Sequence, residues 1–228
     1  MKRNIVIIHK SGGDFKLTDV YLLVSHINKY WNKEITKPDI YCYSDMVKYE
    51  ISVVGLTIRP LPNPQWVGWW SKLNLFSPEL AELRPFLYLD IDTVVLKSID
   101  TLFPPVDKNE VFITLRDFYR PTALASGVMF VPFTNAMDNI YKEWMKGPAV
   151  HIRRFTGDQN FIQSVVTNPD LFWQDISTPD YITTFKPKKI WRTELPINSA
   201  VVCFHGKPRI PEAAKTVKWV ESYVTYEI

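Results

Sequence analysis

Apolar residues enter this chain as short β-branched runs, separated by stretches whose apolar positions recur with a helical period. Asn4–His9 (NIVIIH) is the first run, and its length and composition predict a buried strand. The turn Ser11–Phe15 (SGGDF) follows, and then a helical pattern from Leu17 to Tyr30. Ile40–Tyr43 predicts a second strand and Ile51–Leu56 a third, before a loop punctuated by Pro60, Pro62 and Pro64. Trp69–Phe76 suits a short helix that stops near Pro78. Further strands are predicted at Phe86–Leu89, Val111–Leu115, Gly127–Phe133 and Ala200–His205. Helices are predicted over Asn135–Lys146, Asp158–Val166 and Pro211–Tyr223.

Strand and helix alternate through the first half, which predicts an α/β fold with helices on both faces of the sheet. The second half is less regular and includes hairpin-like pieces, so the expected sheet is mixed but mainly parallel. In such sheets the ligand crevice lies beyond the carboxyl ends of the strands. His9, Asp45, Asp90 and His205 all fall at or just after predicted strand ends.

The 228 residues fit one domain with a sizeable core, and no repeat, low-complexity tract or Gly/Ser-rich linker divides them. A formal net charge of +3 is too small to argue for nucleic acid and does not oppose an anionic ligand. Cys42 and Cys203 lie in β-branched or aromatic runs and are expected as buried free thiols. No apolar run reaches about 18 residues, and the basic start (Lys2, Arg3) lacks a long apolar core and a small-residue cleavage site. These features predict a cytoplasmic protein without a membrane span.

PFLYLDIDTVVL (Pro85–Leu96) places two carboxylates one residue apart in an apolar run. Desolvating an ionised carboxylate without a partner costs several kcal/mol or more, so a cation is expected nearby. Residues i and i+2 of an extended segment point to one side, about 6.6 Å apart. A divalent ion with ligands at roughly 2.1 Å can engage both if the backbone bends. Carboxylates and phosphate oxygens are hard ligands, which favours Mg²⁺ or Mn²⁺ over zinc. Asp90 and Asp92 thus read as half of a metal–diphosphate site, although Asp-x-Asp also opens ordinary turns.

Two other classes remain open on these residues. A phosphatase of the haloacid-dehalogenase type also has an apolar strand followed by Asp-x-Asp-x-Thr, here Asp90–Thr93, with Thr114 and Gly157-Asp158 as its later motifs. Against it, that strand normally opens the domain, HIRRFTGDQNF (His151–Phe161) lacks the second late acid, and HGK (His205–Lys207) has no task. A non-catalytic sugar-binding module holding calcium would account for the tryptophans and acids but not for a lysine-bearing phosphate site.

KSGGDF (Lys10–Phe15), WSKLNLF (Trp70–Phe76), LYLDIDTVVL (Leu87–Leu96), SGVMFV (Ser126–Val131), GDQNFI (Gly157–Ile162) and VVCFHGKP (Val201–Pro208), in this order, resemble nucleotide-sugar-dependent glycosyltransferases of the GT-A fold. The likeness is to small single-domain members related to the family-8 type of retaining enzymes. It implies a Rossmann-like nucleotide-binding half over about 1–95 and an acceptor-binding half over about 96–228, ending in a metal-binding histidine. It also implies a UDP-sugar donor, with glucose favoured over galactose, and a glycan or other hydroxyl acceptor.

The resemblance assigns roles residue by residue. His9, Lys10, Ser11, Gly12 and Phe15 would hold the nucleotide, with Tyr43 and Asp45 reaching its base. Asp90, with Ile91, would meet the nucleotide and the metal; Asp92 and His205 would complete the metal ligands, and the imidazole favours Mn²⁺. Gly206 and Lys207 would meet the β-phosphate, and Lys72 the diphosphate and donor sugar. Ser126, Gly127 and Asp158 would line the sugar pocket, Gln159 would lie beneath the anomeric carbon, and Arg116 and Asp117 stand behind them. Transfer is expected with retention. Trp66, Trp69 and Trp70 read either as an acceptor-stacking surface or as core. The compact HGKPRIPE departs from larger family-8 enzymes, whose histidine, glycine and lysine are more widely spaced and followed by Pro-Trp.

Overall fold

Alternate residues of the first strand, β1 (Asn4–His9), feed two different cores: Ile5 and Ile7 face one side, Val6 and Ile8 the other. That is what a strand buried on both faces requires, and it explains the unbroken apolar run. The computed structural model describes residues 2–46, 54–105, 110–166, 171–186 and 193–225.

A seven-stranded sheet is built from β1, β2 (Asp39–Ser44), β3 (Leu56–Pro60), β4 (Phe86–Leu89), β6 (Ile113–Arg116), β7 (Leu124–Val131) and β8 (Leu171–Phe172), in the order β3-β2-β1-β4-β7-β6-β8. β7 runs antiparallel to both neighbours; the other pairings are parallel. A smaller sheet joins β5 (Thr93–Val95), β10 (Val201–Cys203) and β9 (Ile182–Thr184), with β10 central.

Helix α1 (Leu17–Tyr30) and the smaller sheet cover one face of the large sheet, burying Val20, Leu23, Val24, Val95 and Val201 with Ile5 and Ile7. Asp19 reaches back to accept the Lys16 N–H at 2.7 Å, which starts α1. The other face is covered by a 3-10 helix (Gly68–Phe76) and by α3 (Asn135–Met145) and α5 (Asp158–Val165). Fully burying one large apolar side chain stabilises by roughly 1.5–3 kcal/mol, and Leu73, Phe76, Trp144 and Phe161 are all inaccessible there. Short helices α2 (Pro78–Ala81), α4 (Pro148–Arg154) and α6 (Trp173–Ile176) fill the periphery. Helices α7 (Ile210–Ala214) and α8 (Lys218–Val224) pack on the outer face of the smaller sheet against Val94, Val202 and Phe204.

The mixed, mainly parallel α/β sheet covered on both faces is therefore as expected, with local differences and with the short strands β5, β8 and β9 added. The third strand is Leu56–Pro60 rather than Ile51–Leu56, because Gly55, at φ 81°, turns the chain just before it. Ile51–Val53 lie outside the described residues. Pro60 ends an edge strand, where a missing N–H costs nothing. The strand predicted at Gly127–Phe133 begins at Leu124 and stops at Val131, before Pro132. Finally, the closing helix is two: Val217 is extended and buried between them. Both cysteines are free and buried, as expected. Among the described residues, no helix is long and apolar enough to cross a membrane.

Candidate active site

A cavity of about 610 Å³ opens beyond the carboxyl ends of β1 and β4, where an α/β sheet carries its ligand crevice. Its floor is a bonded network. Lys72, only 7% exposed, projects from the 3-10 helix to Asp90 Oδ2 at 3.0 Å, Asp158 Oδ2 at 3.2 Å and Ser126 Oγ at 3.0 Å. The Ser126 hydroxyl in turn donates to Asp158 Oδ2 at 2.8 Å, and Tyr88 donates its hydroxyl to Asp90 Oδ1. Burial works against the Lys72 ammonium, but the charges of Asp158 and Asp90 outweigh it and raise its pKa above the ordinary lysine value. Burial pushes the Asp90 carboxyl up, opposed by Lys72 and reinforced by Asp92.

The turn after β4 explains how the two acids leave the sheet. Asp90 N–H donates to Gly127 O on the neighbouring strand, while Thr93 returns its N–H and its hydroxyl to Asp90 O. A β-carbon at position 127 would lie in ordinary contact with Asp90 Oδ2, at 3.5 Å, so the two positions are immediate neighbours in the site. β5 then pairs antiparallel with β10, Thr93 opposite Cys203, and Phe204 N–H donates to Asp92 O at 2.8 Å. This register brings His205 to the same cavity as Asp90 and Asp92.

His205 stacks parallel to Phe118 with centroids 6.1 Å apart and meets the edge of Tyr119. Its Nδ1 lies 3.3 Å from Thr184 Oγ1, whereas Nε2 is buried without a hydrogen-bond partner among the described residues. Burial and the Lys186 charge lower its pKa, so the ring is neutral and offers a lone pair. An orphaned imidazole nitrogen lining the same cavity as two half-buried carboxylates fits a divalent cation in donor chemistry. Yet among the described residues no three His, Cys, Asp or Glu side chains are gathered into a ready coordination sphere. Asp92 Oδ2 instead accepts a 2.9 Å bond from Arg209 Nη1.

Of the residues assigned to the nucleotide, Lys10, Phe15, Ile91 and Gly206 line the cavity together with Asp90. His9, Ser11, Gly12, Tyr43 and Lys207 do not. His9 is fully buried, its Nδ1 2.8 Å from Ser44 Oγ and its Nε2 3.4 Å from Phe15 O, so it shapes the loop from behind. Gly12 supplies a turn at φ 82°. Ser11 and Lys10 are clamped by Asp45, which accepts from Ser11 N–H at 2.8 Å, Ser11 Oγ at 2.6 Å and the Lys10 ammonium. Desolvation opposes ionisation of Asp45, but these bonds prevail and hold its pKa at about 2. Tyr43 is buried in the core, with its hydroxyl 3.4 Å from Arg59. Lys207 is exposed and pairs with Glu212 at 2.7 Å.

Asp158, Gln159, Ser126 and Gly127 all line the cavity. Gln159 donates Nε2–H to Asp117 Oδ2 at 2.9 Å, and Asp117 also accepts from the backbone of Tyr119 and Arg120. Arg116 turns away to Asp175 at 2.6 Å. Thr114, buried, donates to Ala125 O and does not reach the cavity. The tryptophans divide: Trp66 and Trp70 pack on Trp144 in the core, whereas Trp69 is 61% exposed on the cavity rim, its indole 3.6 Å from where a β-carbon of Gly157 would be. Sequence reasoning missed Arg209, Tyr88 and the Phe118–Tyr119 wall. Only Arg209 had a signal, because it follows HGKP directly.

The sequence matches no protein-family model and no curated protein. The structure is similar to the galactosyltransferase LgtC solved with donor and acceptor sugar analogues, at 10% identity and a TM-score of 0.62 over 98% of this chain and 97% of that one. It is also similar to the glycosyltransferase GlyE of Streptococcus pneumoniae TIGR4 (13% identity, TM-score 0.72), covering 99% of this chain but 62% of GlyE. The bifunctional glycosyltransferase WbbM aligns at 10% identity and a TM-score of 0.62, over 97% of this chain and 51% of WbbM. At such identities the likeness is one of architecture, and this chain has the GT-A-type α/β fold of these glycosyltransferases.

Proposed function

We propose that this chain is a glycosyltransferase that moves a hexose from a UDP-sugar, glucose before galactose, to a hydroxyl of a glycan or similar acceptor. The observation that carries this reading is the Lys72–Asp90–Ser126–Asp158 network on the floor of a cavity that Asp92, Gln159 and His205 also enter. Residues of about 1–95 would bind the nucleotide and those of about 96–228 the acceptor.

The reaction expels a nucleoside diphosphate, so the site must hold negative charge as it builds on the leaving group. Lys10, Lys72 and Arg209 line the cavity as cations for that purpose. A divalent ion, when held by Asp90, Asp92 and His205, supplies Lewis-acid stabilisation of the departing diphosphate. Asp90 accepts from the ribose and Asp158 from the donor sugar's hydroxyls, and Lys72 holds both side chains in place while they do so. Asp117 holds the Gln159 amide towards the sugar. Its oxygens already accept several hydrogen bonds, which lower its pKa against burial, so it is a poor general base. A neutral amide in that place favours retention over inversion.

The phosphatase alternative loses ground on one observation. The Thr114 hydroxyl, which that chemistry needs at the cavity, is buried and spent on Ala125 O.

A thermal-shift series with UDP-, GDP- and CDP-sugars, with and without Mn²⁺, tests the proposal through stabilisation by mass action. UDP-sugars with Mn²⁺ should raise the midpoint most, and slow hydrolysis should release the hexose. Asp92→Ala and His205→Ala should abolish the Mn²⁺-dependent part. Phosphomonoester hydrolysis without nucleotide binding would falsify the assignment.

A further inference from the structure

We infer that Arg209 is an internal counter-ion that seals Asp92 until a divalent cation displaces it, and that its freed guanidinium then holds the donor's diphosphate. The inference rests on the transferase reading above and names the group that gates its cation.

Two half-buried acids stand one residue apart, and each already has a protein cation: Lys72 on Asp90 and Arg209 on Asp92, at 3.0 and 2.9 Å. The two differ in how they are held. Lys72 is enclosed by Asp90, Asp158 and Ser126, so it is a fixed part of the floor. Arg209 sits at the cavity wall on a short strap between β10 and α7. Its guanidinium is shared: Nη1 faces Asp92, while Nε donates to Asp14 Oδ2 at 3.1 Å and the group lies over the Phe15 ring at 4.7 Å. Asp14 and Phe15 belong to the loop after β1, so releasing Asp92 leaves Arg209 attached to the loop expected to carry the nucleotide. Arg209 also lines a second cavity of about 220 Å³ on its far side, which gives the side chain room to move.

Electrostatics makes the two cations exclusive. A divalent ion on Asp92 with Arg209 in place would add two positive charges beside Lys72, Arg209 and Lys186. Lys186 already has its pKa lowered, by desolvation and then by Arg209. The ion binds only as the guanidinium leaves. A guanidinium offers five donors in a rigid fork that matches phosphate oxygens, so its next partner is the diphosphate. Lys207, to which the sequence assigned the phosphate, is exposed and paired with Glu212.

The test is a titration of full-length protein with Mn²⁺ alone, read by electron paramagnetic resonance of free Mn²⁺, and with UDP at saturating Mn²⁺, read by calorimetry. Arg209→Ala, and Arg209→Gln in case the smaller side chain disturbs folding, should bind Mn²⁺ alone about tenfold more tightly and UDP about tenfold more weakly than wild type. Opposite signs are the signature, since a residue that merely supports the fold would weaken both. Unchanged or weaker Mn²⁺ binding in a folded variant overturns the inference and leaves the transferase reading intact. Wild-type protein that binds neither Mn²⁺ nor UDP overturns both.

Discussion

Lys72 and Asp90, eighteen positions apart in sequence, meet at 3.0 Å between Nζ and Oδ2, and the same ammonium reaches Asp158 at 3.2 Å. One cation thus serves two carboxylates at once. Lys72→Met leaves both acids buried without it, and breaking such a pair costs about 3–5 kcal/mol. Urea unfolding at neutral pH should show a loss of that size. Adding Asp90→Asn to the methionine variant should recover part of it, while transfer from a UDP-sugar falls about a hundredfold in either background.

Asp45 ties the loop after β1 to the end of β2 through Lys10 and Ser11. Asp45→Asn should leave the sheet intact and weaken UDP binding about tenfold, measured by calorimetry, because the loop loses its fixed shape. With its pKa held at about 2 in the fold against 3.8, the clamp is fully effective above pH 3.8 and fades as pH falls towards 2. The corresponding stability, about 1–2 kcal/mol, should be lost in that window and be absent from the variant's profile.

His26 is only 2% exposed, stacks on Tyr223 at 3.9 Å between centroids, and donates Nε2–H to Tyr223 O at 3.0 Å. Burial lowers its pKa from 6.5 to about 4. Between those values the unfolded chain takes up the proton and the native one does not. Stability is therefore whole above pH 6.5, declines as pH falls, and stops declining from this cause near pH 4. Chemical denaturation at pH 7.5 and 4.5 should give a difference between the two that is up to about 3 kcal/mol larger for wild type than for His26→Gln.

Trp69 touches the cavity rim and little else. Trp69→Ala should leave stability within about 0.5 kcal/mol, as for an exposed site, and leave the UDP affinity unchanged. If the indole supports the acceptor ring, KM for the acceptor rises about tenfold while kcat holds.

The architecture could be read from the chain because its strands are buried on both faces, and NIVIIH or FLYL can hardly be anything else. Asp90, Asp92 and His205 were also legible as residues of the crevice, since each follows an apolar run that ends there, whereas Asp158 follows the polar HIRRFTG and was singled out only through the resemblance. The parts that escaped depend on contacts no local pattern encodes. β5 and β9 are three-residue strands, too short for periodicity to register, and they exist through pairing with β10. Lys207 and Arg209 are both basic and two positions apart, and only the strap's path sends the second inward and the first to solvent. Trp69 and Trp70 show the same limit: neighbours on one 3-10 helix, the first is exposed on the rim and the second buried in the core, and the pattern of the chain does not tell them apart.

The antiparallel ladder between β5 and β10 has a bearing on how the molecule is made. Asp92 and Arg209 stand 117 positions apart. A ribosome must therefore release most of the polypeptide before the surroundings of Asp92 are finished. Until β10 docks, the edge of β5 lacks its neighbour and Asp92 lacks its counter-charge, so the cavity of a half-synthesised chain has an unfinished wall.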